Sequence, residues 1–164
     1  MGSLDPRMRI ADVVGEPLRG VDAHERRSRA AEVLEAVGLP GTVLDRYPHQ
    51  FSGGQRQRIA IARALVTRPS VLVADEAVSS LDVSVRAQVL NVLSDLVADF
   101  RLTLVLVSHD LAVVRRTCDT VAVMTEGRIV ECGPTEAVYG DALHPYTAEL
   151  IAVAPRLAPG GPRR

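Results

Sequence analysis

The chain has 164 residues, 47% of them apolar, enough for a packed core and too apolar for a disordered segment. Its formal net charge of −1 supplies neither the basic surface of a nucleic-acid binder nor an electrostatic attraction to anionic lipid. Two cysteines, Cys118 and Cys132, make neither a disulfide framework nor a metal cluster, and no apolar run approaches the length of a membrane span.

In chain order, the segment from Met1 to Gly20 contains Pro6 and Pro17 and predicts a loop followed by a short helix over Ile10 to Glu16. Asp22 with Glu25 three residues on is a helix-start signal, and Ala30, Val33, Leu34 and Val37 follow at helical spacing. Gly38 and Pro40 end that helix. A loop through Asp45, Arg46, Tyr47 and Pro48 leads to Phe51-Ser52-Gly53-Gly54-Gln55, after which Ile59, Ala62, Leu65 and Val66 mark a second helix. Val71 to Ala74 is a short continuous apolar run, predicting a strand buried on both faces as in a parallel sheet. Asp82 is expected to cap a long helix carrying Val85, Val89, Val92, Leu93 and Leu96. Thr103 to Val107 then predicts a second buried strand, so strand, helix and strand make a βαβ unit with parallel strands. A helix starting near Leu111 follows. Val121–Met124 and Arg128–Glu131 flank Glu126-Gly127, the pattern of a tight hairpin. Pro134–Tyr139 and Tyr146–Val153 look helical, and the Pro-, Gly- and Arg-rich tail from Pro155 is expected to fray.

Four short constellations could carry chemistry. Asp75-Glu76 follows the first apolar strand, where open α/β sheets bind ligands; one carboxylate can hold magnesium through water and the next can act as a general base. Two solvated loop acids would look the same. Ser52-Gly53-Gly54-Gln55 at a helix start offers backbone N–H groups to an anion, or is a plain N-cap beside a hinge. Ser108-His109-Asp110 follows the second strand, and its histidine could hydrogen-bond a terminal phosphate or merely accompany a capping Asp. Ser79-Ser80-Leu81-Asp82 lies between the acidic pair and the long helix, and Asp82 alone would explain it as a cap.

The order of these constellations resembles the ATP-binding subunits of ABC transporters. Phe51 to Arg58 is similar to the family's signature motif, with Phe where Leu is usual; Val71 to Glu76 is similar to Walker B with its catalytic glutamate; Ser79 to Asp82 is similar to the D-loop; His109 is similar to the switch histidine. The flanks resemble the oligopeptide, dipeptide and nickel importer branch: Ser3 to Met8, Arg46-Tyr47-Pro48-His49, Leu81 to Val85 with Ala87 to Asn91, and His144-Pro145-Tyr146-Thr147. The likeness runs from about Ser3 to Pro155.

The resemblance implies an α/β fold: part of a P-loop NTPase, a mostly parallel sheet with flanking helices, part of the helical signature subdomain, and a C-terminal β-hairpin. It divides the chain into a helical part at 1–68, a core part at 69–154 and a flexible tail at 155–164. It implies ATP and Mg2+ as cofactors, with Asp75 supporting magnesium through water, Glu76 activating water and His109 holding the γ-phosphate. Ser52, Gly53, Gly54 and Gln55 would contact nucleotide bound on a second, head-to-tail ATPase subunit, and Ser80 and Asp82 would couple the two sites. Transmembrane permease subunits would be partners, an external substrate-binding protein only an indirect one, nucleic acid none. The location implied is peripheral, on the cytoplasmic face of the membrane.

The chain departs from the family in one decisive respect. All 19 positive charges are arginines, so G-x-x-x-x-G-K-[ST] cannot occur. The Q-loop glutamine is also absent, and Met1 is expected to be either an internal start of a truncated gene or a misassigned one. Ala77 stands where Pro is usual, and the chain stops soon after Pro155, where many relatives continue into a cysteine-containing extension. The expectation is therefore an ABC-type ATPase by family that does not hydrolyse ATP alone. The alternative is a non-catalytic module completing the site of a full-length paralogue. A DNA-repair or translation ATPase is disfavoured by the importer-like flanks.

Overall fold

A computed structural model describes residues 4–79 and 81–153. The chain falls into two compact units, Met1–Val107 and Ser108–Arg164. Ser80, Ser3 and the tail from residue 154 lie outside the described residues, so the readings that fall on them are not addressed by the fold.

In the first unit, α1 (Ile10–Gly15) buries Ile10, Val13 and Val14. The next helix, α2 (Ala23–Ala36), starts at Asp22, whose carboxylate accepts from the amides of His24 at 2.9 Å and Glu25 at 3.0 Å. It ends as its glycine suggests: Gly38 has φ +74°, the Gly38 amide donates to the Glu35 carbonyl, and the Leu39 amide donates to the Leu34 carbonyl. Two 3-10 turns, Gly41–Asp45 and Pro48–Gln50, lead into α3 (Gly53–Leu65), which buries Ile59, Ile61, Ala62 and Leu65. These side chains and those of α1 and α2 form one apolar core around Leu34, Val37 and Ile59.

Strand β1 (Val71–Asp75), helix α4 (Val83–Phe100) and strand β2 (Thr103–Val107) form the expected βαβ unit. The strands are parallel, with Val71 opposite Thr103, Val73 opposite Val105 and Asp75 opposite Val107. The expectation of burial on both faces is not met. Leu72 and Ala74 are buried, whereas Val71, Val73, Val105 and Val107 point together to the other face and are 49%, 63%, 44% and 48% exposed. Among the described residues no layer covers that face, so alternate valines of each strand meet solvent. Asp82 also departs from expectation: its backbone has N-cap geometry, but its exposed carboxylate makes no capping hydrogen bond to α4.

In the second unit, α5 (Leu111–Thr117) precedes a hairpin of β3 (Thr120–Thr125) and β4 (Arg128–Pro134), followed by α6 (Thr135–Gly140) and α7 (Pro145–Val153). The hairpin turn is Glu126-Gly127, with φ +48° and +74°, the two left-handed residues of a type I′ turn. A register shift at Val123/Met124 bulges one strand. The hairpin is a separate antiparallel two-stranded sheet. Thr135 locks α6 in place: its hydroxyl donates to the Cys118 carbonyl at 2.7 Å and its amide to Asp119. The Tyr139 hydroxyl donates to the Leu111 carbonyl at 2.7 Å.

Candidate functional site

The glycine pair opens α3. Ser52 is its N-cap: the hydroxyl oxygen accepts from the Gln55 amide at 3.3 Å, while the Gln55 side-chain oxygen accepts from the Ser52 amide at 3.0 Å. This reciprocal pair fixes the entry of the helix. It leaves the Ser52 O–H proton available to donate outward, since the hydroxyl oxygen and not its proton serves the cap. Gly53 and Gly54 occupy the first two helical positions, whose amides have no acceptor within the helix. Their partial positive charge adds to that of the helix end. An anion approaching along the axis of α3 would therefore meet N–H groups and a hydroxyl.

The lead-in is equally ordered. The Arg46 guanidinium lies 4.6 Å from the centre of the buried Phe51 ring and donates to the Gln50 carbonyl at 3.0 Å. Stacking of a cation on this ring gives Phe51 a role that an aliphatic side chain could not fill. Arg56 reaches back from α3 to the Phe51 carbonyl at 3.0 Å.

The acidic pair ends β1. Asp75 is exposed and lies in register with Val107. The Glu76 amide donates to the Val107 carbonyl at 3.0 Å, extending the parallel ladder by one bond. At Glu76 the chain turns, with φ +48°, a left-handed conformation that costs a non-glycine residue about 1–2 kcal/mol. The Glu76 carbonyl accepts from the amide and hydroxyl of Ser79. Unfavourable backbone of this kind clusters at functional turns. Ala77 is buried behind this turn.

Gly53, Asp75, Ala77 and Leu81 line one groove of about 910 Å³, together with Leu4 and Pro6 at the start of the described chain. The structure thus gathers the start of α3, the end of β1 and the approach to α4 in one unit. His109 belongs to the second unit, where it is exposed just ahead of α5. Its neighbour Asp110 caps that helix, accepting from the amides of Ala112 at 3.0 Å and Val113 at 3.3 Å. Capping thus falls to Asp110 and not to the histidine.

Residues 2–79 match the ABC transporter family. The dipeptide transport ATP-binding protein DppF of Haemophilus influenzae is 52% identical over 160 residues, covering 96% of this chain and 49% of that protein. The glutathione import ATP-binding protein GsiA of Escherichia coli K12 is 52% identical over 167 residues, covering 98% of this chain and 26% of that protein. The dimeric structure of the bacterial ABC transporter cassette MJ0796 superposes with a TM-score of 0.68 at 32% identity, over 81% of this chain and 59% of that one. Over nearly its whole length this chain is similar to ABC transporter ATP-binding proteins. It spans half or less of the length of the curated relatives it matches.

ABC ATPases bind ATP, and the residues here fit only one side of such a site. The capped start of α3 suits a phosphate. None of these 164 residues is a lysine that could reach the β- and γ-phosphates, so G-x-x-x-x-G-K-[ST] does not occur within them. Among the described residues no three His, Cys, Asp or Glu side chains are placed to share a metal ion. Asp75 could contribute one carboxylate to a magnesium otherwise held by water and phosphate.

Sequence reasoning missed two contributors. Arg46 stood out only as part of Arg46-Tyr47-Pro48-His49, because stacking on Phe51 is a through-space contact across a turn. Val85 was read as an apolar position of α4 and as the end of the Leu81 to Val85 segment, yet it lies against Gly54, so close that a Cβ built on that glycine would overlap its Cγ1. No helix among the described residues is long and apolar enough to cross a membrane.

Proposed function

We propose that this chain acts as an ATP-binding component of an ABC importer for peptides or similar small solutes, presenting Ser52–Gln55 to nucleotide bound on a second ATPase subunit. The observation that carries the reading is the contrast within one chain. The start of α3 is a complete capping box with the Gly53 and Gly54 amides left without a partner inside the helix, whereas none of these 164 residues is the lysine of a phosphate loop. In this reading Ser52 donates its hydroxyl proton, and the amides of Gly53 and Gly54 point at the phosphate. Gln55 holds the cap and Asp82 lies at the subunit boundary. Ser80 belongs to the same boundary by its place in the motif.

Asp75, Glu76 and His109 are the residues that would support magnesium, orient water and hold the terminal phosphate wherever a complete cradle is present. ATP with Mg2+ supplies the phosphoanhydride chemistry when bound. The proposed division of labour places signature presentation in residues 1–68 and nucleotide-side acids and histidine in 69–154. Permease subunits at the cytoplasmic face of a membrane are the proposed downstream partners, and the names of the DppF and GsiA relatives favour peptide-like cargo.

The test is ATP hydrolysis by the purified chain, alone and mixed with a full-length subunit such as the DppF relative. The expected result is no turnover alone and an altered rate in the mixture. Turnover by the chain alone would overturn the claim that it has no working cradle. An unchanged rate in the mixture at all ratios would overturn presentation in trans.

A further inference from the structure

The two glycines of the Ser52–Gln55 segment differ sharply in their surroundings. Gly53 is exposed, and a Cβ built on it would meet only Leu81 Cδ2 at 3.7 Å, an ordinary contact. Gly54 is buried, and a Cβ there would overlap Val85 Cγ1. Neither glycine has a positive φ, so backbone freedom does not explain either one. Val85 lies on the first turn of α4, three residues after Asp82. Being β-branched, it is held at χ1 and cannot swing aside as a long flexible side chain would.

We propose that Gly54 is a positioning residue, bare so that Val85 can seat against the first turn of α3. The contact sets the distance between the Ser52–Gln55 cap and the turn at Asp82. The two helix starts then move as one piece, and a ligand or subunit that shifts one shifts the other. The glycine pair thus divides its work: Gly53 keeps the approach to the helix end open, and Gly54 keeps the spacing to α4. The functional half of this inference rests on the presentation of Ser52–Gln55 proposed above; the steric half does not.

The experiment compares the wild-type chain with Gly53→Ala, Gly54→Ala, Val85→Ala and the double variant Gly54→Ala/Val85→Ala. One readout is the backbone amide NMR shifts of Ser52, Gln55 and Asp82 in the chain without nucleotide. The other is the chain concentration needed to alter ATP hydrolysis by a full-length relative. Gly54→Ala is expected to move the amides of both helix starts and to raise that concentration roughly tenfold or more, the scale of an overpacked contact. Adding Val85→Ala is expected to return both readouts toward wild type, and Gly53→Ala to leave the Asp82 amide in place. Should Gly54→Ala fail to fold, folding of the double variant is itself the rescue. The proposal is overturned if Gly54→Ala behaves as Gly53→Ala does, or if removing the Val85 methyls restores nothing. If the wild-type chain leaves the relative's rate unchanged, presentation in trans fails, while the amide shifts still decide the Gly54–Val85 contact.

Discussion

At the scale of single residues, Ser52 has a structural duty and a proposed chemical one, and substitution can separate them. Its hydroxyl caps α3, and replacing such a cap by Ala costs about 1 kcal/mol. Asp is as good a cap as Ser, but its charge would repel a phosphate. Ser52→Ala is therefore expected to lower stability in urea by about 1 kcal/mol and to weaken the effect on a full-length subunit. Ser52→Asp is expected to keep the urea midpoint and lose that effect entirely. A Ser52→Asp chain that still alters the partner's rate would remove Ser52 from the phosphate. The cap itself was legible beforehand, because a hydroxyl three residues before Gln at a helix start has few other uses. The left-handed turn at Glu76 was not, because its conformation comes from the Val107 carbonyl on a strand 31 residues away and from the crowded turn behind it.

At the scale of elements, the junction of β4 with α7 shows how a motif without evident chemistry is used. Glu131 on β4 accepts from the amides of Leu143 at 2.9 Å and His144 at 3.1 Å, the groups just ahead of α7. The His144 ring nitrogen Nδ1 in turn accepts from the Tyr146 amide at 3.2 Å. The importer-like His144-Pro145-Tyr146-Thr147 segment is thus a helix entry held by a strand carboxylate. Hydrogen bonds from Leu143 first, and also from His144, hold the Glu131 carboxyl below the ordinary glutamate range. A depressed carboxyl pKa contributes stability that is present above the unfolded value and lost as pH falls through the folded one. The attachment of α7 should therefore persist at neutral pH and loosen in acid below the usual glutamate range. Hydrogen exchange at the α7 amides checks this. Wild type should protect them better than Glu131→Gln at pH 7, and the difference should close in acid. Equal protection of both forms at pH 7 would mean that Glu131 does not hold the helix. The hairpin of β3 and β4 was plain from Glu126-Gly127, whereas the grip on α7 spans 12 or more residues and has no local pattern.

For the molecule as a whole, the consequential feature is the uncovered face of the parallel pair. Parallel strands usually carry helices on both faces. Here Val71, Val73, Val105 and Val107 remain open on one of them. Such a patch, beside strands paired on one edge only among the described residues, favours self-association. The double substitution Val73→Thr/Val105→Thr keeps β-branched side chains in the strands and makes this face polar. It is expected to reduce concentration-dependent association, read by light scattering, with little change in the unfolding midpoint. Unchanged scattering would show that this face does not drive association.

Local patterns determined much of this protein by themselves. The Asp22 and Ser52 caps, the Gly38 helix end, the Glu126-Gly127 turn and the βαβ order each depend on residues close in the chain. The absence of lysine, a matter of composition alone, means that G-x-x-x-x-G-K-[ST] does not occur within these 164 residues. Only the tertiary structure decided which strand face is covered, that Asp82 leaves its carboxylate outside the cap, that Arg46 stacks on Phe51, and that Val85 lies against Gly54. Each of these depends on an atom brought close by folding, and neither hydrophobic period nor cap chemistry encodes which distant side chain will arrive there.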